Sequence, residues 1–162
     1  MNSPLAPDLT FTPVDPRLIR VKILTELAAG LPLVIVSAAL NLTVWRNHPW
    51  TWAITAVIVI ATAWMVALWP RRVRAMGYVE LQDELVIAKG IMFRRVEVVP
   101  YGRMQQVTVT AGPLLARYGL AKVNLVTASS ESDGEIPAVS REEAERLRGK
   151  LTALGEAHME GL

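Results

Sequence analysis

An α-helical transmembrane hairpin followed by a small α+β domain, mainly β and closed by a C-terminal capping helix, is the fold class the sequence predicts. Three observations carry it. Residues 27–44 and 50–69 are runs of eighteen and twenty residues without a charge, and at about 1.5 Å rise per residue such helices cross the roughly 30 Å hydrocarbon layer of a bilayer. Beyond them the apolar period switches from helical to two, the signature of strands with alternating faces. Residues 140–143 then read Ser-Arg-Glu-Glu, a capping box, with Ala144, Leu147, Leu151 and Leu154 following on one helical face.

Composition agrees. Of 162 residues 52% are hydrophobic, and the mean hydropathy of +0.31 exceeds that of an average soluble protein, an excess that membrane segments explain. Setting aside the hairpin and an N-terminal tail leaves roughly eighty residues, near the lower limit for a self-sufficient core. A net charge of +2 does not indicate a nucleic-acid-binding protein. From 71 to 103 seven Lys or Arg face four acids, whereas from 104 onward six basic residues face eight acidic ones. The basic half adjoins the membrane helix, which suits an anionic cytoplasmic leaflet. With no cysteine there is no disulfide, thiolate nucleophile or cysteine metal site, and a reducing compartment is permitted.

In chain order, residues 1–22 are expected to be a cytoplasmic N-terminal tail. Pro4, Pro7, Pro13 and Pro16 make it extended, contributing no core. Arg17, Arg20 and Lys22 precede the first span, Glu26 sits at its interface, and a kink is expected near Gly30 and Pro32. A cleaved leader is the competing reading, since Ser37-Ala38-Ala39 resembles a small-residue cleavage site; its length and the second span close behind argue for a true hairpin over residues 23–70. Residues 45–49 allow only a tight turn. Trp45, Trp50, Trp52, Trp64 and Trp69 gather toward the span ends as interface anchors, and Pro70 with Arg71, Arg72 and Arg74 ends the second helix. Three basic residues before the first span, one in the turn and three after the second place both termini in the cytoplasm of a multi-pass inner (plasma) membrane protein.

The cytoplasmic domain is expected over residues 71–155, with 156–162 as a tail. Residues 77–81 and 85–88 form a hairpin around the polar turn 82–84, and Lys89-Gly90 closes the second strand. Residues 95–99 alternate until Pro100, and 105–110 alternate again, each strand with one wet and one dry face. Pro113 at a first helical position and Gly119 at a C′ position bracket a single helical turn. Residues 121–126 form the best strand, 129–134 an acidic loop, and 135–139 a last short strand with Pro137 at an edge. A helix starting at the capping box and stopping at Gly155 closes five or six antiparallel strands into a small barrel or bent sheet.

The order of parts, with Arg74 through Tyr78, Lys89-Gly90, residues 99–107, Gly112-Pro113-Leu114, Arg117-Tyr118-Gly119-Leu120 and the strand 125–128, resembles the bacterial pleckstrin-homology-like membrane family, the YdbS-like proteins long catalogued as a domain of unknown function. The resemblance covers most of residues 74–150, and the two-span hairpin matches the family's short form. It implies a pleckstrin-homology-like roll or barrel on the cytoplasmic face, no known catalysis, and a larger relative with several copies of the domain as neighbour. The phosphoinositide motif of eukaryotic pleckstrin-homology domains is only loosely approximated by Lys89, Arg94 and Arg95, and that function is not carried over.

No catalytic, metal or cofactor site is expected: His48 lies in the outer turn and His158 in the tail, and Glu131, Asp133 and Glu135 lack the spacing of a calcium loop. Lys89, Arg94, Arg95, Arg71, Arg72 and Arg74 are the candidate binding residues, for anionic lipid headgroups or for a protein partner. Solvation of the hairpin and topology alone are their plainer readings. An open edge strand offers a partner strand a place to pair. The leading reading is a non-enzymatic, membrane-anchored interaction or scaffold module docking a larger membrane partner; the alternative is a sensor of anionic lipid headgroups. The expected partners are the lipid bilayer and a membrane protein, a larger relative with several copies of the domain; no nucleic acid or small-molecule substrate is indicated.

Overall fold

The computed structural model describes residues 2–3, 6–44, 48–91, 93–127 and 133–160, with side chains between Leu9 and Ala157. The chain divides into two compact units, Ile19–Arg71 on one side and Met1–Leu18 with Arg72–Leu162 on the other.

The first unit is built from α1 (Arg17–Thr43) and α2 (Trp52–Arg74), both long and apolar enough to cross a membrane, with a short 3-10 turn at Pro49–Thr51 leading into α2. Leu33, Ile35, Val57 and Ile60 stay exposed, as lipid-facing side chains must. Between the helices the polar groups are paired. The Asn41 amide donates to Thr55 Oγ1 at 2.9 Å and to the Ser37 carbonyl at 3.0 Å, the Thr51 hydroxyl donates to Asn41 Oδ1, and the Ser37 and Thr55 hydroxyls lie 2.7 Å apart. Nearer the other end the Trp69 indole donates to Glu26 at 3.1 Å and the Lys22 ammonium lies 5.0 Å over the Trp69 ring. Pro70 does not end α2, contrary to expectation. The helix runs on to Arg74 because Val73 is buried and the last turn closes through Ala75 N–H to Arg72 and Met76 N–H to Val73 carbonyls.

The second unit holds two antiparallel sheets and α4. Leaving aside the small pair β1 (Asn2–Ser3) and β2 (Ala6–Thr10), β3 (Thr12–Pro13), β4 (Gly77–Glu80), β5 (Glu84–Lys89) and β6 (Arg95–Pro100) form a four-stranded sheet in that order. A 3-10 turn at Tyr101–Arg103 leads to β7 (Met104–Thr110), which with β8 (Leu120–Thr127) and β9 (Gly134–Ser140) makes a three-stranded sheet. The one-turn helix α3 (Pro113–Arg117) connects β7 to β8, opening on Pro113 and ending at Gly119 with φ +68°. The helix α4 (Arg141–Glu160) packs its Ala144, Leu147 and Leu151 face inward. Pro137 lies on the edge strand β9, beside a register shift in its pairing with β8.

The expectation that the N-terminal tail contributes no core is overturned. Thr12 and Pro13 pair with Tyr78 and Gly77 to form β3, and Phe11 is 3% exposed. Phe11 covers the outer face of the sheet, packed with Val86 and Ala88 and flanked by Leu9, Val79, Leu81 and Val96. Hence β5 has no wet face: Leu85 and Ile87 point into the core while Val86 and Ala88 are buried under Phe11. Gly77 is required there, since a Cβ would lie 2.9 Å from the Thr12 carbonyl oxygen. With β3 counted, seven strands among the described residues, rather than five or six, build the two sheets.

Two expectations about α4 also change. Gly155 is not its stop; the helix continues to Glu160, and Gly155 is buried where α4 passes Tyr101 and Met104. Half of the capping box forms, the Glu143 N–H donating to Ser140 Oγ at 3.2 Å. The Glu143 carboxylate instead accepts from Tyr78 and Arg146, partners with stronger donors than a cap amide.

Candidate functional site

The tip of the β5–β6 hairpin collects the sharpest surface chemistry of the second unit. Register dictates its place: Ala88 pairs with Gly77, and Gly77 with Pro13, so the turn after Lys89 lies at the end of the sheet that bears Pro13 and Gly77. Gly90 makes the turn possible, with φ +99° and its Cα so close to the Phe93 carbonyl that a Cβ would stand 2.0 Å from that oxygen. The turn holds Phe93 out at 89% exposure, beside Ile91 at 39%. Lys89, Gly90, Phe93, Arg94, Arg95 and Glu97 line one open depression of about 370 Å³.

The structure therefore brings three of the six candidate basic residues together. Adjacent arginines on an extended strand would face opposite ways, but Arg94 precedes β6 and both guanidinium-bearing residues border the depression. Lys89 is already committed, its ammonium 2.9 Å from Glu97. Arg94 and Arg95 are exposed, with no carboxylate within 4.0 Å among the described residues. Arg71, Arg72 and Arg74 form a different group, at the C-terminal end of α2. Trp50, Trp52 and Trp64 are exposed and Trp69 is half-buried, while Trp45 lies outside the described residues.

A second surface lies along β7. Among the described residues this strand pairs with β8 alone, so its other edge, beside which α4 packs, carries no strand ladder. Gln105 and Gln106 are exposed, and a shallow groove of about 120 Å³ runs between β7 and α4, floored by Met104 and Leu151. Tyr101 is fully buried, its hydroxyl donating to the Leu81 carbonyl at 3.1 Å. Burial pushes the Tyr101 phenol up to about 12, helped by nearby Glu80, Glu84 and Asp83.

The remaining charges are structural ties. Arg146 bridges Glu80 at 2.5 Å and Glu143 at 2.7 Å, and Lys150 reaches Glu80 at 2.6 Å. Burial pushes the Glu80 carboxyl up, but hydrogen bonds from Arg146 and Lys150 outweigh it and hold it below the usual carboxylate range. Hydrogen bonding from Arg146 likewise holds Glu143 down against its partial burial. Among the described residues no group of three or more His, Asp or Glu is placed to hold a metal. Asp133 accepts from the Thr127 N–H at 2.8 Å and Glu135 pairs with Lys122 at 2.8 Å; Glu131 lies outside the described residues, and so does the side chain of His158.

Residues 18–154, from α1 to α4, match the model of the family described as bacterial PH domain. The chain belongs to this bacterial PH domain family. It is also 33% identical over 125 residues to the UPF0699 transmembrane protein YdbS of Bacillus subtilis (strain 168), covering 75% of this chain and 77% of that protein. No solved structure matches it. Two apolar helices with a bacterial PH domain make this a membrane protein of the YdbS-like kind.

In this bacterial PH domain, sequence reasoning missed Phe93 and Phe11, which have opposite fates. A lone aromatic carries no periodic signal, so neither the exposure of the first nor the burial of the second is legible from its neighbours. Lys89-Gly90 did signal the turn, and three basic residues within seven positions marked its flanks.

Proposed function

We propose that the protein is a non-catalytic, membrane-anchored interaction module that docks a membrane protein partner, a larger relative carrying several copies of the domain. In this reading α1 and α2 form a multi-pass anchor in the plasma membrane, with the wealth of Lys and Arg outside the turn keeping both termini cytoplasmic. The observation that carries docking is the open edge of β7. Its outward N–H and C=O groups accept a partner strand by backbone pairing, with the β7–α4 groove receiving alternate side chains. Exposed edges are otherwise liabilities that proteins cover or blunt with charge, and β7 carries neither Lys, Arg, Asp nor Glu.

Photo-crosslinking tests it. A crosslinking residue at Gln106, and a control at exposed Glu142 on α4, are introduced into the full chain in its native membrane. A defined multi-copy relative recovered at Gln106 and not at Glu142 is the expected result. Recovery of monomer and lipid alone, or equal capture at both positions, overturns the docking reading.

A further inference from the structure

We propose that the β5–β6 tip is a membrane-inserting wedge for an anionic bilayer: Phe93 enters the boundary between headgroups and acyl chains while Arg94 and Arg95 take lipid phosphates. This goes beyond partner docking and uses a surface distinct from β7.

Four observations converge on it. Phe93 is 89% exposed, the most exposed of the large apolar side chains among the described residues. A full benzyl group held in water is unfavourable unless a partner covers it, and Phe is among the residues that bury the apolar face of interfacial elements. Its presentation is built into the backbone: Gly90, at φ +99° and with no room for a Cβ beneath the Phe93 carbonyl, closes the turn on which Phe93 stands exposed.

The second point is charge. Arg94 and Arg95 follow the ring directly and border the same depression, whereas Glu97, the acid lining it, is neutralised by Lys89 at 2.9 Å. An apolar point ringed by net positive charge is complementary to a surface that is anionic outside and apolar beneath. It is a poor match for a soluble anion, which offers no apolar partner to Phe93. Guanidinium groups favour phosphate because they donate two parallel hydrogen bonds.

Third, the occupant is already at hand. The same chain carries two helices long and apolar enough to cross a membrane, which tether the domain to a bilayer. Fourth, Ile91, 39% exposed on the same turn, adds apolar surface beside Phe93. Phosphate contact at single arginines is weak; several weak contacts on a tethered domain add through effective concentration.

The chain contains no cysteine, so Ile91→Cys carries a single environment-sensitive fluorophore. The labelled full chain is reconstituted alone into vesicles of phosphatidylcholine, or of phosphatidylcholine with phosphatidylglycerol, with iodide on both sides. With phosphatidylglycerol present, a blue shift, a several-fold loss of iodide quenching and strong quenching by doxyl-lipid are expected. Phe93→Ser, at a site too exposed to unfold the domain, should return the label to water while leaving the thermal transition unchanged. Replacing Arg94 and Arg95 by Ser should abolish the difference between the two vesicle types, as should salt near 1 M, where the screening length falls to about 3 Å. A label equally open to iodide in both vesicles, or insertion unchanged by Phe93→Ser, overturns the wedge. So does a tip that is exposed on lipid alone and becomes protected only when a protein partner is added. Crosslinking at Gln106 is read separately and is indifferent to all of these outcomes.

Discussion

The Tyr78 hydroxyl donates a 2.8 Å hydrogen bond to the Glu143 carboxylate, fastening β4 to the first turn of α4. Glu143 is also the residue whose N–H is capped by Ser140, so helix start and sheet are secured at one point. Tyr78→Phe keeps the ring, which is 3% exposed, and removes only the donor. A hydrogen bond to a charged group contributes about 1.5 kcal/mol. A fall in the unfolding temperature of the full chain in detergent is expected, with the fold retained by circular dichroism.

Acid should loosen the same corner. Glu80 and Glu143 are held below their ordinary value of 4.5 in the folded state. A carboxyl with a depressed folded pKa contributes stability that is fully present above its unfolded value and is lost as pH falls through the folded one. The unfolding temperature is therefore expected to drop below pH 4.5, and Arg146→Ala should flatten that dependence. At the alkaline end the sign reverses. Tyr101, raised from 10.0 to about 12, contributes stability that is complete below pH 10 and disappears as pH climbs toward 12. Tyr101→Phe should weaken that alkaline loss.

Phe11 joins the sheet from before the hairpin, so the PH domain is not a continuous segment. Phe11→Ala is expected to destabilise it by about 3 kcal/mol, the scale of a buried aromatic truncation. A fragment beginning at residue 75 lacks β3 altogether and exposes Val86 and Ala88. It should aggregate, and adding residues 6–13 in trans should recover part of the folded signal. Light scattering and circular dichroism of the two preparations decide it.

Asn41 is the hub of the hairpin's polar contacts, donating to Thr55 and accepting from Thr51. Interhelical hydrogen bonds in bilayers contribute about 0.6 kcal/mol on average. Asn41→Leu removes its contacts to Thr51 and Thr55, leaving the Thr51 hydroxyl to the His48 carbonyl and the Thr55 hydroxyl to Ser37, and should lower hairpin stability by about 1 kcal/mol. Disulfide crosslinking between cysteines placed on α1 and α2 measures the loosening; an unchanged crosslinking rate in a titration with denaturing detergent contradicts it.

Much of this architecture is written in short-range pattern. Uncharged runs long enough to span a bilayer have no stable alternative to helix there, because every backbone polar group must be satisfied internally. The strands at 95–100 and 104–110, Pro113 and Gly119 around α3, and Ser140 before α4 are likewise local readings that held. Neither strand, however, has one wet and one dry face: Val98 is exposed beside buried Val99, and Val107, Thr108 and Val109 are all half-buried. Pro70 and Gly155 show the limit of such rules. Both are helix breakers by propensity, and both lie inside helices because buried neighbours on the same turns, Val73 and Leu151, outweigh the local penalty.

By itself, then, the sequence determined the membrane helices, the strand and helix order and the basic flanks of the β5–β6 turn, since each depends on residues a few positions apart. Only the tertiary structure decided that Phe11 closes a sheet begun on the far side of the hairpin, that Lys89 is taken by Glu97, and that Phe93 stands in the open. Those outcomes depend on which distant backbone arrives beside each side chain. An aromatic ring is buried or exposed by its neighbours in space, and strand pairing across more than sixty intervening residues leaves no periodic trace in the chain.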